Sequence, residues 1–241
     1  MTPAAALLLS LADDHAPGAT LAELLTRRAS ADLGVDWVAI TAFGDDGYLG
    51  PAGISNAAAQ LLEDTQMTTG EGPCHDAYAD GRIVQQPDLE ATGHARWPAF
   101  TATVVGLGAR AAFAFPLQIG SIRLGTLDLY RGSPGPLSDE VLSRALVFAD
   151  AALLVLMHLH DEVSDPEALA SRAADVLVAR PEVHQATGMV SVQAQVTLRD
   201  ALMMLRAHAF AEDIPLWEVA RRVLHHEVRF PASDVPRHDR S

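Results

Sequence analysis

Cys74 and His75 stand side by side in the string Gly70-Glu71-Gly72-Pro73-Cys74-His75. A thiol next to an imidazole offers the reagents for a covalent or redox role, although free cysteine is more often a small buried hydrophobe. His158-x-His160-Asp161 has metal-ligand residue types, but side chains two apart on a helix diverge, so it reads as a solvated helix end. His225-His226-Glu227 lacks the second histidine of H-E-x-x-H. Gly106-Leu107-Gly108 lacks the third glycine of a dinucleotide fingerprint, and no G-x-S-x-G elbow occurs. The chain has no lysine, which removes the phosphate-loop lysine and the Schiff-base lysine together. Its one cysteine rules out an intrachain disulfide and a thiolate zinc cluster. The expectation is a protein that is not an enzyme and has no metal site, with the cofactor left unspecified.

Arginine is the other chemistry-bearing residue. Residues 183–230 hold five arginines (199, 206, 221, 222, 229) against five acids, a net charge of 0, whereas the whole chain carries −14. A neutral, arginine-bearing stretch on a strongly acidic body points to a module that meets a polyanion while the body does something else. For Arg221-Arg222 the competing reading is a solvated helix face paired with Glu218.

The elements that must position these groups follow from periodicity. Residues 20–33 read as a helix capped by Thr20 with Glu23 three residues on, and Gly34 stops it. Residues 37–43 and 48–54 read as strands around an Asp45-Asp46-Gly47 turn, and 56–64 as a helix. A short helix follows Cys74, an edge strand spans 82–86, and Trp97-Pro98 opens another helix. Strands at 110–119 and 122–131 are joined by Gly120-Ser121, a type II′ signal, and the apolar phase slips at Gly125, where a bulge is expected. The helix from 139 to 161 is apolar on two sides: Leu142, Ala145, Ala149, Leu153 and Leu156 on one, Val141, Phe148, Ala152, Val155 and Leu159 on the other. Both sides must be covered, and the second is expected to meet the same helix of a second subunit, giving a homodimer through helices 139–161.

Ala4 to Ala12 imitates a signal peptide, but the first arginine is Arg27 and Asp13-Asp14 follow at once, so the positive n-region is missing. No uninterrupted apolar run reaches the roughly 18 residues of a membrane span. The reading is cytoplasmic, with no membrane partner. The organisation is an N-terminal extension at 1–19, an α+β domain at 20–161, a helical linker at 162–182, an all-α three-helix module at 183–230 and a polar tail at 231–241 expected to be disordered.

The strings GEGPC (70–74), RWPAF (96–100), PLQIG (116–120) and LGTLDLYR (124–131) together resemble the GAF domains of actinobacterial signalling proteins. The resemblance implies an antiparallel sheet flanked by helices, with a pocket between them for a small molecule or partner. Cys74, His75, Trp97, Phe100 and Phe113 are the candidate pocket residues. Residues 183–230 resemble the ANTAR domain, an RNA-binding module of bacterial antiterminators, through Ala186 to Val190, Ala201 with Leu205-Arg206 and Ala209, and Leu216 with Val219-Ala220 and Val223. This implies binding of RNA stem-loops in leader transcripts, with RNA polymerase affected indirectly. Arg206, Arg221 and Arg222 are the candidate arginines, Gln185, Thr187 and His208 the candidate polar readers. Gly188 is costly inside a helix and reads as a point of close approach to another helix or a ligand backbone. Because the module is neutral, binding calls for a dimer, two loops or an activating signal. Two alternatives stay open. In the first, PLWEVARRVL (215–224) is the first helix of a DNA-binding helix-turn-helix, although Pro231 leaves little room for a recognition helix. In the second, the GAF-like domain processes a nucleotide.

Overall fold

Thr20 opens its helix as the spacing predicts. Its hydroxyl accepts from the Glu23 amide at 3.2 Å while the Glu23 carboxylate accepts from the Thr20 amide at 3.0 Å, and Gly34 ends the helix in the left-handed region. The computed structural model describes residues 2–13, 19–44, 47–162 and 181–230. They fall into two compact units, Met1–Ala179 and Arg180–Ser241.

The first unit is built on β1 (Trp37–Gly44), β2 (Gly47–Ile54), β3 (Val84–Gln86), β4 (Ala111–Ile119) and β5 (Ile122–Arg131). They form one antiparallel sheet in the order β2-β1-β5-β4-β3. Alternation along each strand separates two faces. Val38, Ile40, Ala42, Phe113, Phe115, Leu127 and Leu129 point into a core shared with α1 (Pro3–Asp13), α2 (Leu21–Leu33) and α7 (Asp139–Glu162). The opposite face is covered by α3 (Ala57–Thr69), α4 (Pro73–Asp80), α5 (Leu89–Thr92) and α6 (Pro98–Gly106), and its apolar part holds Leu62, Trp97, Phe100, Val104, Ala112 and Ala114.

The β4–β5 hairpin turns at Gly120, φ +59, with Ser121 outside the positive-φ region, as a type II′ turn requires. The bulge lies one residue from its expected place. Leu117 pairs with Gly125 and Gln118 with Arg123, so Leu124 is the extra residue. Gly125 serves a different purpose: a Cβ there would collide with the Thr41 carbonyl oxygen of β1.

Both sides of α7 find cover within the chain. Its buried residues on both sides (Ala145, Phe148, Ala149, Ala151, Ala152, Val155, Leu156) join the core with the sheet, α1 and α2. The N-terminal extension supplies part of that cover, because Ala4 and Leu11 of α1 are buried and Leu7 and Leu8 pack beside them. Leu146 and Leu154 are the large apolar side chains that the described part of α7 leaves exposed. The window Asp139–Leu159 is long and apolar enough for a membrane span by length and composition, yet its inner residues are those of a core helix. The expected helix within the 162–182 linker, the turn residues 45–46 and the 231–241 tail lie outside the described residues.

The second unit is α8 (Pro181–Ala194), α9 (Leu198–Glu212) and α10 (Leu216–Leu224). Val183, Ala186 and Val190, then Ala201 and Leu205, then Leu216, Val219, Ala220 and Val223 form its core, while Leu198 is exposed and Leu202 and Leu224 are half-buried. Thr197 caps α9, its hydroxyl accepting from the Asp200 amide at 3.1 Å. Asp213, left-handed at φ +53, turns the chain into α10.

Candidate functional site: a buried polar chamber under helices α3 and α4

Every second residue of β5 from Thr126 to Tyr130 points away from the main core, and all three are polar. Thr126, Asp128 and Tyr130 are at most 1% exposed. Thr41 of β1 and Tyr48 of β2 join them from neighbouring strands, and α3 lowers Glu63 and Gln66 onto them, both at 0% exposure. Glu63 is the hub. One carboxylate oxygen accepts from the Tyr130 hydroxyl at 2.7 Å, the other from Thr41 at 2.8 Å and Tyr48 at 3.2 Å. Gln66 donates to the Tyr130 oxygen at 2.7 Å and to Glu63 at 3.2 Å, while its own carbonyl accepts from the Cys74 amide at 2.9 Å. That last contact requires Gly72, φ +137, since a Cβ there would strike the Gln66 side chain.

Asp128 is less well provided. One oxygen accepts from Thr126 at 2.8 Å; the other, Oδ1, is buried with no hydrogen-bond partner among the described residues. Burial, and then the charge of Glu63, push its carboxyl well above the usual range. Burial also raises Glu63, opposed by the hydrogen bonds from Tyr130, Thr41, Tyr48 and Gln66. The Tyr48 and Tyr130 phenols are raised well above their ordinary value by burial and by Glu63, so they remain protonated donors. The donor atoms of Glu63, Cys74 and Asp128 all lie within 4.8 Å of one another.

Of the expected pocket residues, Cys74 and His75 are brought here. Cys74 is fully buried on the first turn of α4. His75 donates through Nε2 to the Gln66 carbonyl at 3.0 Å and sits edge-on to Phe43, beside Tyr48. Trp97, Phe100 and Phe113 are corrections. Trp97 and Phe100 pack edge to face in the core beneath α6, at 2% and 0% exposure. Phe113 projects from the opposite face of the sheet, where strand alternation sends it with Phe115. The strings around them nonetheless interlock: Glu71 accepts from the Ala99 and Phe100 amides at 2.7 and 2.9 Å, capping α6, and Asp76 accepts from Arg96 at 2.7 Å and from the Trp97 indole at 3.1 Å. GEGPC and RWPAF therefore clamp α4 to α6. The sequence reading missed Glu63, Gln66, Tyr48, Thr126, Asp128 and Tyr130. The signal that could have found them is the polar alternation Thr126-x-Asp128-x-Tyr130 between leucines.

In the second unit, Gln185 is exposed on α8. Thr187 is not available as a reader: it is 8% exposed, and its hydroxyl donates to the Val183 carbonyl at 2.7 Å, a common fate for threonine on an inward helix face. A Cβ at Gly188 would meet nothing within 4 Å, so no helix of the described chain explains that glycine. Arg221 pairs with Glu218 at 2.7 Å, and Arg222 with Glu218 at 3.2 Å and Glu212 at 3.0 Å. Those hydrogen bonds raise Arg221 and lower Glu218. Arg206 is half-buried on α9, and His208 lies 3.1 Å from Glu212 and edge-on to Phe230.

Comparison with known families matches residues 18–156 to the GAF domain. No curated protein matches the chain. Among solved structures, the GAF domain of a phosphoenolpyruvate-protein phosphotransferase (ptsP) from Coxiella burnetii is similar at 15% identity and TM-score 0.49, over 68% of this chain and 98% of that one. The blue-light absorbing form of the Thermosynechococcus elongatus PixJ GAF domain is 18% identical at TM-score 0.44, over 71% and 95%. The second GAF domain of DevS from Mycobacterium smegmatis is 18% identical at TM-score 0.42, over 58% and 94%. With more than half its length matched and its sheet, flanking helices and interlocking strings in place, the chain belongs to the GAF domain family, a signal- or small-molecule-sensing domain of regulators.

Proposed function

We propose that this protein is a signal-responsive regulator in which the GAF domain senses and residues 183–230 bind RNA stem-loops, acting by transcription antitermination. The observation that carries the reading is the three-helix unit: most of the residues on which the ANTAR resemblance rests (Ala186, Val190, Ala201, Leu205, Ala209, Leu216, Val219, Ala220 and Val223) are its core positions, and they leave Gln185 and Arg221 on its surface with Arg222 half-exposed. RNA loops are recognised through phosphate contacts, stacking on guanidinium planes and hydrogen bonds to splayed bases, all of which these side chains can supply. A homodimer would present two such units. A signal bound in the first unit shifts RNA affinity only if it favours one of two arrangements over the other. No residue is assigned a catalytic role.

Gel shifts with paired RNA stem-loops test the proposal. Binding by the full chain and its loss in the Arg221→Ala, Arg222→Ala double variant support it. Undiminished binding by that variant overturns the assignment of the site, and a preference for duplex DNA over hairpin RNA at matched salt overturns the RNA reading.

A further inference from the structure

We infer that Glu63, Cys74 and Asp128 form a binding site for one divalent transition-metal ion of the zinc class, zinc(II) or its close congeners iron(II) and cobalt(II). The three come from α3, α4 and β5, and their donor atoms lie within 4.8 Å of one another in a fully buried setting. Metal–oxygen and metal–sulfur bonds of about 2.0–2.3 Å in tetrahedral geometry place ligand atoms about 3.3–3.7 Å apart, so side-chain rotations that draw the longest separation in by about 1 Å close the site. The second observation is Asp128 Oδ1. A buried carboxylate oxygen without a donor is costly, and this one belongs to a side chain 1% exposed and facing Glu63 and Cys74.

The neighbours fit a cation. The hydrogen-bonding groups that act on the two carboxyls are hydroxyls and an amide, none of them cationic. They are also arranged as supports for ligands. Tyr130, Thr41 and Tyr48 donate to Glu63 and Thr126 donates to Asp128, fixing the carboxylates in the way outer-shell donors orient metal ligands. A thiolate beside two carboxylates is a mixed soft and hard set; it disfavours magnesium and calcium, which take oxygen ligands alone, and suits the zinc class. On coordination the Cys74 thiol proton, and any proton held by the Glu63 and Asp128 carboxyls, leave to solvent. Three protein ligands leave a position open for a small molecule, and that use of the open position rests on the sensory reading above, whereas the metal site itself does not.

The test uses the full chain, treated with chelator and titrated with cobalt(II) and then zinc(II). Expected are one equivalent of cobalt bound, a thiolate-to-cobalt charge-transfer band, and its displacement by one equivalent of zinc. Cys74→Ser, a near-isosteric change, abolishes the band, and Asp128→Asn weakens binding at least tenfold, with far-ultraviolet circular dichroism confirming that both variants fold. Absence of the band in the wild-type chain, or binding that neither substitution alters, overturns the site. Stem-loop affinity measured with and without zinc separates the two readings: RNA binding without any cobalt band refutes the metal site alone, and a cobalt band with no RNA binding under either condition refutes the RNA regulator alone.

Discussion

Replacing Glu218 by glutamine should make the second unit bind RNA more tightly. Glu218 accepts from Arg221 Nε at 3.0 Å and Nη2 at 2.7 Å, and from Arg222 Nε at 3.2 Å. Its charge therefore neutralises the two arginines assigned to phosphate contact. Glutamine keeps the shape and removes the charge, and the net charge of residues 183–230 goes from 0 to +1. Arg222 keeps Glu212 at 3.0 Å and Arg221 keeps the weaker influence of Glu227, so Arg221 is the arginine most released. Each phosphate contact adds about 0.7 to the salt slope on single strands and about 0.9 on B-form duplex, which scales to a factor of about five to eight in affinity at 0.1 M salt relative to 1 M. The single variant should gain that factor, and Glu212→Gln with Glu218→Gln should gain it again. Glutamine keeps the shape and the hydrogen-bonding oxygen of the half-buried Glu218, and ion pairs to surface arginines contribute little to stability, so both variants should stay folded. Fluorescence anisotropy with a labelled stem-loop at four salt concentrations reads affinity and slope together. A Glu218→Gln protein with unchanged affinity and unchanged slope would refute the placement of phosphate at these arginines.

Three further outcomes follow from the same geometry. Gly188→Ala should stabilise α8 by about 0.8–1.0 kcal/mol, because a methyl there meets nothing within 4 Å, and it should weaken stem-loop binding if RNA makes the close approach; thermal melts and anisotropy on one preparation separate these effects. Gly125→Ala should destabilise the first unit by about 1–3 kcal/mol or more in urea titrations, since the added Cβ meets the β1 backbone at Thr41, and a wild-type midpoint would contradict the packing of β5 against β1. In chelator-treated protein, the raised carboxyls of Glu63 and Asp128 mean that the native state holds more protons than the unfolded state above the ordinary carboxylate range. Stability should therefore be full below that range and fall as pH rises from it through the folded-state values, and Asp128→Asn should flatten the decline; urea midpoints that climb over that interval would reverse the sign of the argument.

Local chemistry was legible from the sequence. The Thr20–Glu23 box and the Gly120-Ser121 turn each depend on residues a few positions apart, and each stands where its spacing put it. Long-range decisions were not. Which face of β4 receives Phe113 depends on strand phase relative to helices elsewhere in the chain. Part of the cover of α7 came from α1, a segment whose apolar run resembled a signal peptide. The polar chamber was the least visible part, because Glu63 and Asp128 stand 65 positions apart and Cys74 between them is one of many small residues on a helix. By itself the sequence determined most of the helices and strands, the Gly120-Ser121 turn and the GAF family, since hydrophobic period and capping act within a few residues. Only the tertiary structure decided that three polar side chains of β5 meet α3 and α4 in a dry interior, because burial is a property of what lies across the sheet.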